Sequence, residues 1–301
     1  MRSSSVTVLI PAFNEEKTIE KVVNSIHSNF PEGEIVVIDD GSHDNTAAFA
    51  ERAGARVIRK SKNQGYGAAI KTGIMSSKSD YIVTFDADGQ HKAEDIIRLM
   101  KLAENNDMVI GVREKIIHSN IWRMPGKWFL RIFASYLVGK RIPDLNSGLR
   151  VMHREKVLKY LHLCPPGFSF STTITIAMII REYSVEFVPI SVERRKGKSK
   201  VTVKTGLESL LLILRLATLF NPLKVFLPLS VLMWIAGIAW GMPIVLARHG
   251  VTVGFMLFIV TGILLFGIGL LSDQVSQIRL ERFETMEPTS QESTHENHRD
   301  M

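Results

Sequence analysis

Cysteine is nearly absent: Cys164 is the single one among 301 residues. One cysteine excludes an intramolecular disulfide and any zinc site built on paired thiolates, and it fits a catalytic domain facing a reducing compartment. Two common phosphate-binding signatures are also missing. The stretch Asn63-Gln64-Gly65-Tyr66-Gly67-Ala68-Ala69 has neither the Gly-x-Gly-x-x-Gly spacing of a dinucleotide site nor the Gly-Lys-Ser/Thr ending of a P-loop. No basic run is interleaved with aromatics, so a nucleic-acid partner is not expected. The first strand-like run starts at Val6, which leaves no room for a signal peptide, and none is expected.

What is present is a basic excess, 37 Lys and Arg against 30 Asp and Glu, for a formal charge of +7. That balance favours anionic partners such as phosphates and lipid head groups. Mean hydropathy is slightly positive, +0.11, although 22% of residues are charged. The apolar residues must therefore be segregated, and they gather after Asn221. Val225 to Leu246 and Val251 to Leu271 are uncharged runs of about 21–22 residues, each reaching about 32 Å as a helix and so long enough to cross a bilayer core. The link between them holds only Arg248 and His249 as basic residues. Arg194, Arg195, Lys196, Lys198, Lys200 and Lys204 precede the pair, and Arg279 and Arg282 follow it. The positive-inside rule then places both termini in the cytoplasm.

The expected organisation is a catalytic domain over residues 1–203, an amphipathic interfacial helix over 204–222 and a membrane hairpin over 223–272. A polar, partly disordered cytoplasmic tail over 273–301 follows. The protein is expected in the cell (inner) membrane, multi-pass; a homo-oligomer is compatible with the sequence. Residues 125–141 also carry basic and apolar groups at helical spacing, which fits either a core helix or an interfacial one.

Through the first half, strand-like runs (Val6–Ile10, Glu34–Ile38, Arg56–Arg59, Tyr81–Phe85, Met108–Gly111) alternate with helical patterns (Glu15–Ser28, Thr46–Ala53, Gly67–Ser76, Ala93–Glu104). This alternation predicts an α/β fold with a mostly parallel sheet and ligands at the carboxyl ends of its strands. Three strands end in polar clusters there. In Asp86-Ala87-Asp88-Gly89-Gln90-His91 two carboxylates two residues apart can turn toward one hard cation, magnesium or manganese. Asp39-Asp40-Gly41-Ser42 supplies acceptors for ribose hydroxyls or a base N–H, and a glycine that lets a ligand near the backbone. Asp44 or Asn45 reads as a helix N-cap. Pro11-Ala12-Phe13-Asn14-Glu15-Glu16 ends the first strand, and Glu15 or Glu16 also suits a helix's first turn.

Taken in order, these motifs resemble glycosyltransferase family 2, in the subgroup of dolichyl-phosphate mannose synthase and bacterial polyprenyl-phosphate glucosyltransferases. The pattern continues at Gly111-x-Arg113, Asp144-x-Asn146-Ser147-Gly148-x-Arg150 and Arg194-x-x-Gly197-x-Ser199-Lys200. Residues 114–124 and Ser272-Asp273-Gln274 depart from it. The resemblance implies a GT-A (Rossmann-like) catalytic domain and inverting transfer from a nucleotide diphosphate sugar, GDP-mannose or a UDP-sugar such as UDP-glucose, to a polyprenyl phosphate. It implies a donor site at Pro11, Ala12, Asn14, Glu15, Asp39, Asp40, Gly41, Gly65, Lys71, Asp86 and Ala87, with Mg2+ or Mn2+ held by Asp86, Asp88 and Gln90. The acceptor phosphate is expected at Arg113, Arg131, Ser135, Arg194 and Ser199. Asp88, Asp144, Arg113, Arg131, Arg194 and Arg195 are the catalytic candidates. Asp144 is expected to orient donor sugar or acceptor, although turn formation would select the same residues. Two other readings fit less well. A polysaccharide-building relative would carry Gln-x-x-Arg-Trp, which is absent. A non-catalytic sugar-nucleotide-binding protein would be expected to lose the paired acids, which are intact.

Overall fold

In a computed structural model of the protein, residues 5–113, 142–144, 147–167, 169–192 and 221–284 are described, with isolated positions 132, 135, 136, 139, 211, 214 and 218. The chain divides into two compact units, Met1–Leu216 and Ala217–Met301.

The first unit is built on a seven-stranded sheet. In chain order its elements are β1 (Val6–Ala12), α1 (Ile19–Asn29), β2 (Glu34–Asp39), α2 (Thr46–Arg52), β3 (Arg56–Arg59), α3 (Tyr66–Ser76), β4 (Tyr81–Thr84), α4 (Glu94–Ala103), β5 (Met108–Arg113), β6 (Arg150–His153), α5 (Arg154–Tyr160), α6 (Phe170–Ile180) and β7 (Val185–Ile190). The spatial order is β3-β2-β1-β4-β6-β5-β7. Strands pair in parallel except β6, which is antiparallel to β4 and β5. β1 is buried along its whole length, as a central strand covered on both faces must be. On one face Val8 and Ile10 pack with Ile19, Val22 and Ile26 of α1 and with Ile96 and Leu99 of α4. On the other, Gly73 lets α3 close onto Leu9 and Ile38, whose side-chain carbons would lie 2.8–2.9 Å from an added Cβ.

The antiparallel strand decides where the chemistry gathers. Thr84 at the end of β4 pairs with Arg150 at the start of β6, so the segment entering β6 reaches the sheet edge where β4 and β5 finish. Asp86, Arg113, Asp144 and Gly148 meet there although they are far apart in sequence.

The sequence patterns locate the first five strands and four helices to within a few residues. Glu15 and Glu16 are an exception: α1 begins only at Ile19, and the two acids lie in the turn leading into it.

The second unit contains α7 (Leu223–Leu246) and α8 (Val253–Glu284), both long and apolar enough to cross a membrane. Small residues set their approach. Gly237 and Gly241 of α7 receive Phe258 and Phe255, while Gly262 and Gly269 of α8 receive Trp234 and Phe226. Helix α8 continues through the first part of the polar segment, residues 273–284. Its physical reason is composition: Gln, Arg, Leu and Glu are good helix formers and neither Gly nor Pro interrupts them. Most of the expected interfacial helix at 204–222, most of 125–141 and the tail beyond 284 lie outside the described residues.

Candidate active site

The carboxyl ends of β1 and β2 are stapled to each other by their loops. Asn14, in the left-handed region at φ 57, donates its N–H to Ser42 Oγ at 2.9 Å and accepts His43 N–H on Oδ1 at 2.9 Å. Glu15 N–H donates to Thr46 Oγ1 at 2.8 Å. Asp44 accepts the Thr46 and Glu16 N–H groups, while the N-cap position of α2 is taken by Asn45, which makes no side-chain cap hydrogen bond.

Asp40 holds the glycine-rich loop in place. Its carboxylate accepts Gln64 N–H at 3.0 Å and Gly65 N–H at 2.7 Å, with Lys60 Nζ at 3.2 Å. Gly65 has φ 98, and a Cβ there would lie 2.8 Å from Pro166 O. Gly41, at φ 78, similarly lets the Lys62–Asn63 backbone pass close by: a Cβ would lie 2.8 Å from Lys62 C. Asp39 is different. It is fully buried, its Oδ1 accepts Ser42 N–H at 2.9 Å, and its Oδ2 has no hydrogen-bond partner. Arg59 Nε lies 3.4 Å away without hydrogen-bond alignment. A buried carboxylate oxygen left open is what a donor N–H or hydroxyl of a ligand would satisfy.

Asp86 and Asp88 follow β4 on the adjacent loop. Asp86 lies against Gly148: a Cβ there would overlap its carboxylate, so a larger residue would have to push Asp86 aside. Thr84 Oγ1 donates to Gly148 O at 2.6 Å and fixes that turn. The half-buried Tyr66 is hydrogen-bonded through its hydroxyl to Asp86 and Ser171; burial and the Asp86 charge raise its pKa well above the ordinary range. Asp88 Oδ1 accepts Gln90 N–H at 3.1 Å.

Two arginines answer these acids. Arg113 grips Asp144 with Nε to Oδ2 at 2.9 Å and Nη2 to Oδ1 at 3.2 Å. Burial opposes the Arg113 charge, yet Asp144, Asp86 and Asp88 outweigh it and raise its pKa, which places all three acids in one field. Arg150 is 1% exposed and donates to Ser147 O at 2.8 Å, Ser171 O at 2.9 Å and Thr175 Oγ1 at 2.6 Å. Burial lowers its pKa, against the pull of Tyr66, Asp144 and Asp86; its fork ties the Ser147–Gly148 turn to α6.

With this geometry in view, residues 7–161, more than half of the chain, match Glycosyl transferase family 2, and residues 221–278 match the GtrB C-terminal hairpin. The chain belongs to glycosyl transferase family 2. Among its relatives is the undecaprenyl-phosphate 4-deoxy-4-formamido-L-arabinose transferase of Edwardsiella ictaluri, 28% identical over 91% of this chain and 89% of that protein. The polyprenol monophosphomannose synthase of Mycolicibacterium smegmatis is 29% identical over 65% of this chain and 80% of its own. Glucosyl-3-phosphoglycerate synthase from Mycobacterium tuberculosis, crystallised with Mn2+, UDP and phosphoglyceric acid, superposes with a TM-score of 0.61 at 21% identity over 71% of this chain and 79% of that one. That likeness shows the fold, which is GT-A-like.

For this glycosyltransferase, a divalent metal can be tested against the residues present. The donors at the β4 end are hard oxygens, the carboxylates of Asp86 and Asp88 and the side-chain amide of Gln90, whose nitrogen is buried without a partner. Among the described residues no group of three His, Cys, Asp or Glu forms a protein cage. Two carboxylates without a cage suit magnesium or manganese, which keep positions for substrate phosphates. The residues fit the metal.

Other expected site residues are placed as follows. Pro11 and Ala12 are buried at the end of β1, and Ala12 O accepts Asp40 N–H at 2.9 Å. The Glu15 carboxylate accepts Thr18 Oγ1 at 3.2 Å. Ala87 is buried between the two acids. Lys71 lies near Cys164 and His162, whose titration its charge influences. Ser135 Oγ accepts Ile142 N–H at 3.3 Å. Arg131, Arg194, Arg195 and Ser199 lie outside the described residues. Tyr66, Thr84, Gly148, Arg150 and His91 were given no role from sequence. Their signal was faint, since each sits inside or beside a motif without being the residue type that names it.

Proposed function

We propose that this glycosyltransferase moves a sugar from a nucleotide diphosphate sugar to a polyprenyl phosphate, with inversion, and leaves a lipid-linked monosaccharide. The carrying observation is that one chain joins the Asp39, Asp86 and Asp88 site to a pair of spanning-length helices. Relatives whose names state polyprenyl-phosphate transfer align across nearly its full length.

A phosphate acceptor changes what the site must supply. Its second pKa is near 6, so at pH 7 it is already mostly a dianion and needs no strong base. It does need cationic positioning beside an anionic diphosphate. Arg113 and Asp144 act here as a unit: the arginine contributes positive charge, and Asp144 fixes the plane of its guanidinium. Arg131, Arg194 and Ser199 complete the acceptor site in this reading, and Arg195 adds charge beside it. On the donor side, the open Oδ2 of Asp39 takes a base or ribose group. Asn14 and Asp40 shape the loops around it, alongside Pro11, Ala12, Gly41 and Gly65. A metal held by Asp86, Asp88 and Gln90 would stabilise charge developing on the departing diphosphate. The catalytic domain and both termini face the cytoplasm.

Purified full-length protein, incubated with UDP- and GDP-sugars and undecaprenyl or dolichyl phosphate, tests this. A glycolipid that forms only when polyprenyl phosphate is supplied is the expected result. Nucleotide release that is indifferent to the lipid, with no glycolipid, would overturn the reading.

A further inference from the structure

His91 has no part in the reading above, yet it touches the metal-side acid directly. Its Nε2 lies 3.2 Å from Asp86 Oδ2. The imidazole is 4% exposed and Asp86 31%, and the ring meets Phe85 edge-on at 5.7 Å and 68°. Its Nδ1 is buried and has no hydrogen-bond partner. An apolar side chain would fill this space without stranding a polar atom, so packing does not account for an imidazole here. Hydrogen bonding to Asp86 does. The same carboxylate is backed by the Gly148 turn and hydrogen-bonded to Tyr66. An acid restrained from three directions meets an incoming cation in one orientation instead of many.

We propose that His91 is a positioning residue that donates Nε2–H to Asp86 Oδ2 and fixes the rotation of that carboxylate for metal binding. The inference rests on the metal reading of the proposed function. It assigns His91 to the uptake of the metal and not to the transfer itself, as expected of a group acting through a ligand's second oxygen.

The test uses the full-length chain in detergent, with Mn2+ titrated in the presence of UDP or GDP and free Mn2+ followed by electron paramagnetic resonance. His91→Phe keeps a ring and loses the donor. His91→Met and His91→Gln have similar length, and only Gln restores a donor. Phe and Met are expected to weaken Mn2+ binding about 10- to 100-fold, to raise the metal concentration for half-maximal activity equally, and to leave turnover at saturating metal near wild type. Gln is expected to stay close to wild type in both. Thermal unfolding identifies a variant that has failed to fold, and the Met and Gln pair carries the comparison if Phe does. Equal Mn2+ affinity in Met and wild type overturns the role, as does a Gln variant as weak as Met. Failure of the wild type to take up Mn2+ overturns the metal reading and this role together. A positive Mn2+ result without lipid product overturns only the acceptor assignment.

Discussion

Arg113 and Asp144 face each other as a two-bond pair, 2.9 and 3.2 Å, across 31 residues of sequence. The fork that suits a phosphate is thus already formed on a carboxylate. Removing either partner leaves the other partly buried beside Asp86 and Asp88, so the two substitutions must couple. Arg113→Ala should impair transfer to polyprenyl phosphate far more than nucleotide-sugar binding, because it leaves three acids facing an anionic acceptor. Asp144→Asn on top of it should recover part of the loss, with a coupling of about 1–3 kcal/mol. Arg113→Lys should restore only part of the activity, since it keeps the charge without the planar fork. Calorimetric donor affinity paired with acceptor KM and kcat decides it; strict additivity would show that the pair does not function as a unit.

Asp88→Asn removes one charge from the proposed metal site while its loop and the N–H bond from Gln90 can persist. Transfer should fall by about 4 kcal/mol in barrier, near a thousandfold, with folding and membrane insertion intact. Turnover near wild type at saturating Mg2+ or Mn2+ would remove Asp88 from the metal site.

Gly148 and Gly167 make a controlled comparison. A methyl at Gly148 overlaps the Asp86 carboxylate, whereas at Gly167 it meets nothing within 4 Å. Gly148→Ala should cost about 1–3 kcal/mol of stability by overpacking and should also displace Asp86, so Mn2+ affinity and activity fall. Gly167→Ala should stay within about 0.5 kcal/mol of wild type. Denaturant midpoints and Mn2+ titration on both variants check it.

The strand-and-helix alternation to Gly111 was legible because it is local: hydrophobic period and turn residues act over a few positions. So were the acids, since Asp86 and Asp88 follow a buried strand directly. The individual roles were less visible because they depend on partners brought from distant segments, several of them by the antiparallel β6. Nothing near Asp40 announces that it anchors Gln64 and Gly65. Nothing near Arg113 announces Asp144, and Gly148 is required only because Asp86 lies against it.

The final prediction concerns orientation: both termini cytoplasmic, with only the link near Arg248 to Gly250 outside. Its basis is that six basic residues between Arg194 and Lys204 precede α7, while the link holds one arginine and one histidine. The link itself is a tight turn, with Arg248 at φ 60 and Gly250 at φ 81, and Thr252 Oγ1 accepts Phe255 N–H at 3.3 Å to begin α8. So short a turn forces the two helices to run in opposite directions, and the sides of their far ends must therefore agree. Cysteine labelling reads the result. Cys164 is buried and its thiol is pushed up to about 12 by burial, so it reacts slowly, and Cys164→Ala removes it altogether. In that background His249→Cys should react with an impermeant maleimide on intact cells, and Ser290→Cys should react only after permeabilisation. External labelling at position 290, or labelling at 249 only after the cells are opened, would contradict the hairpin orientation and with it the cytoplasmic placement of the catalytic domain.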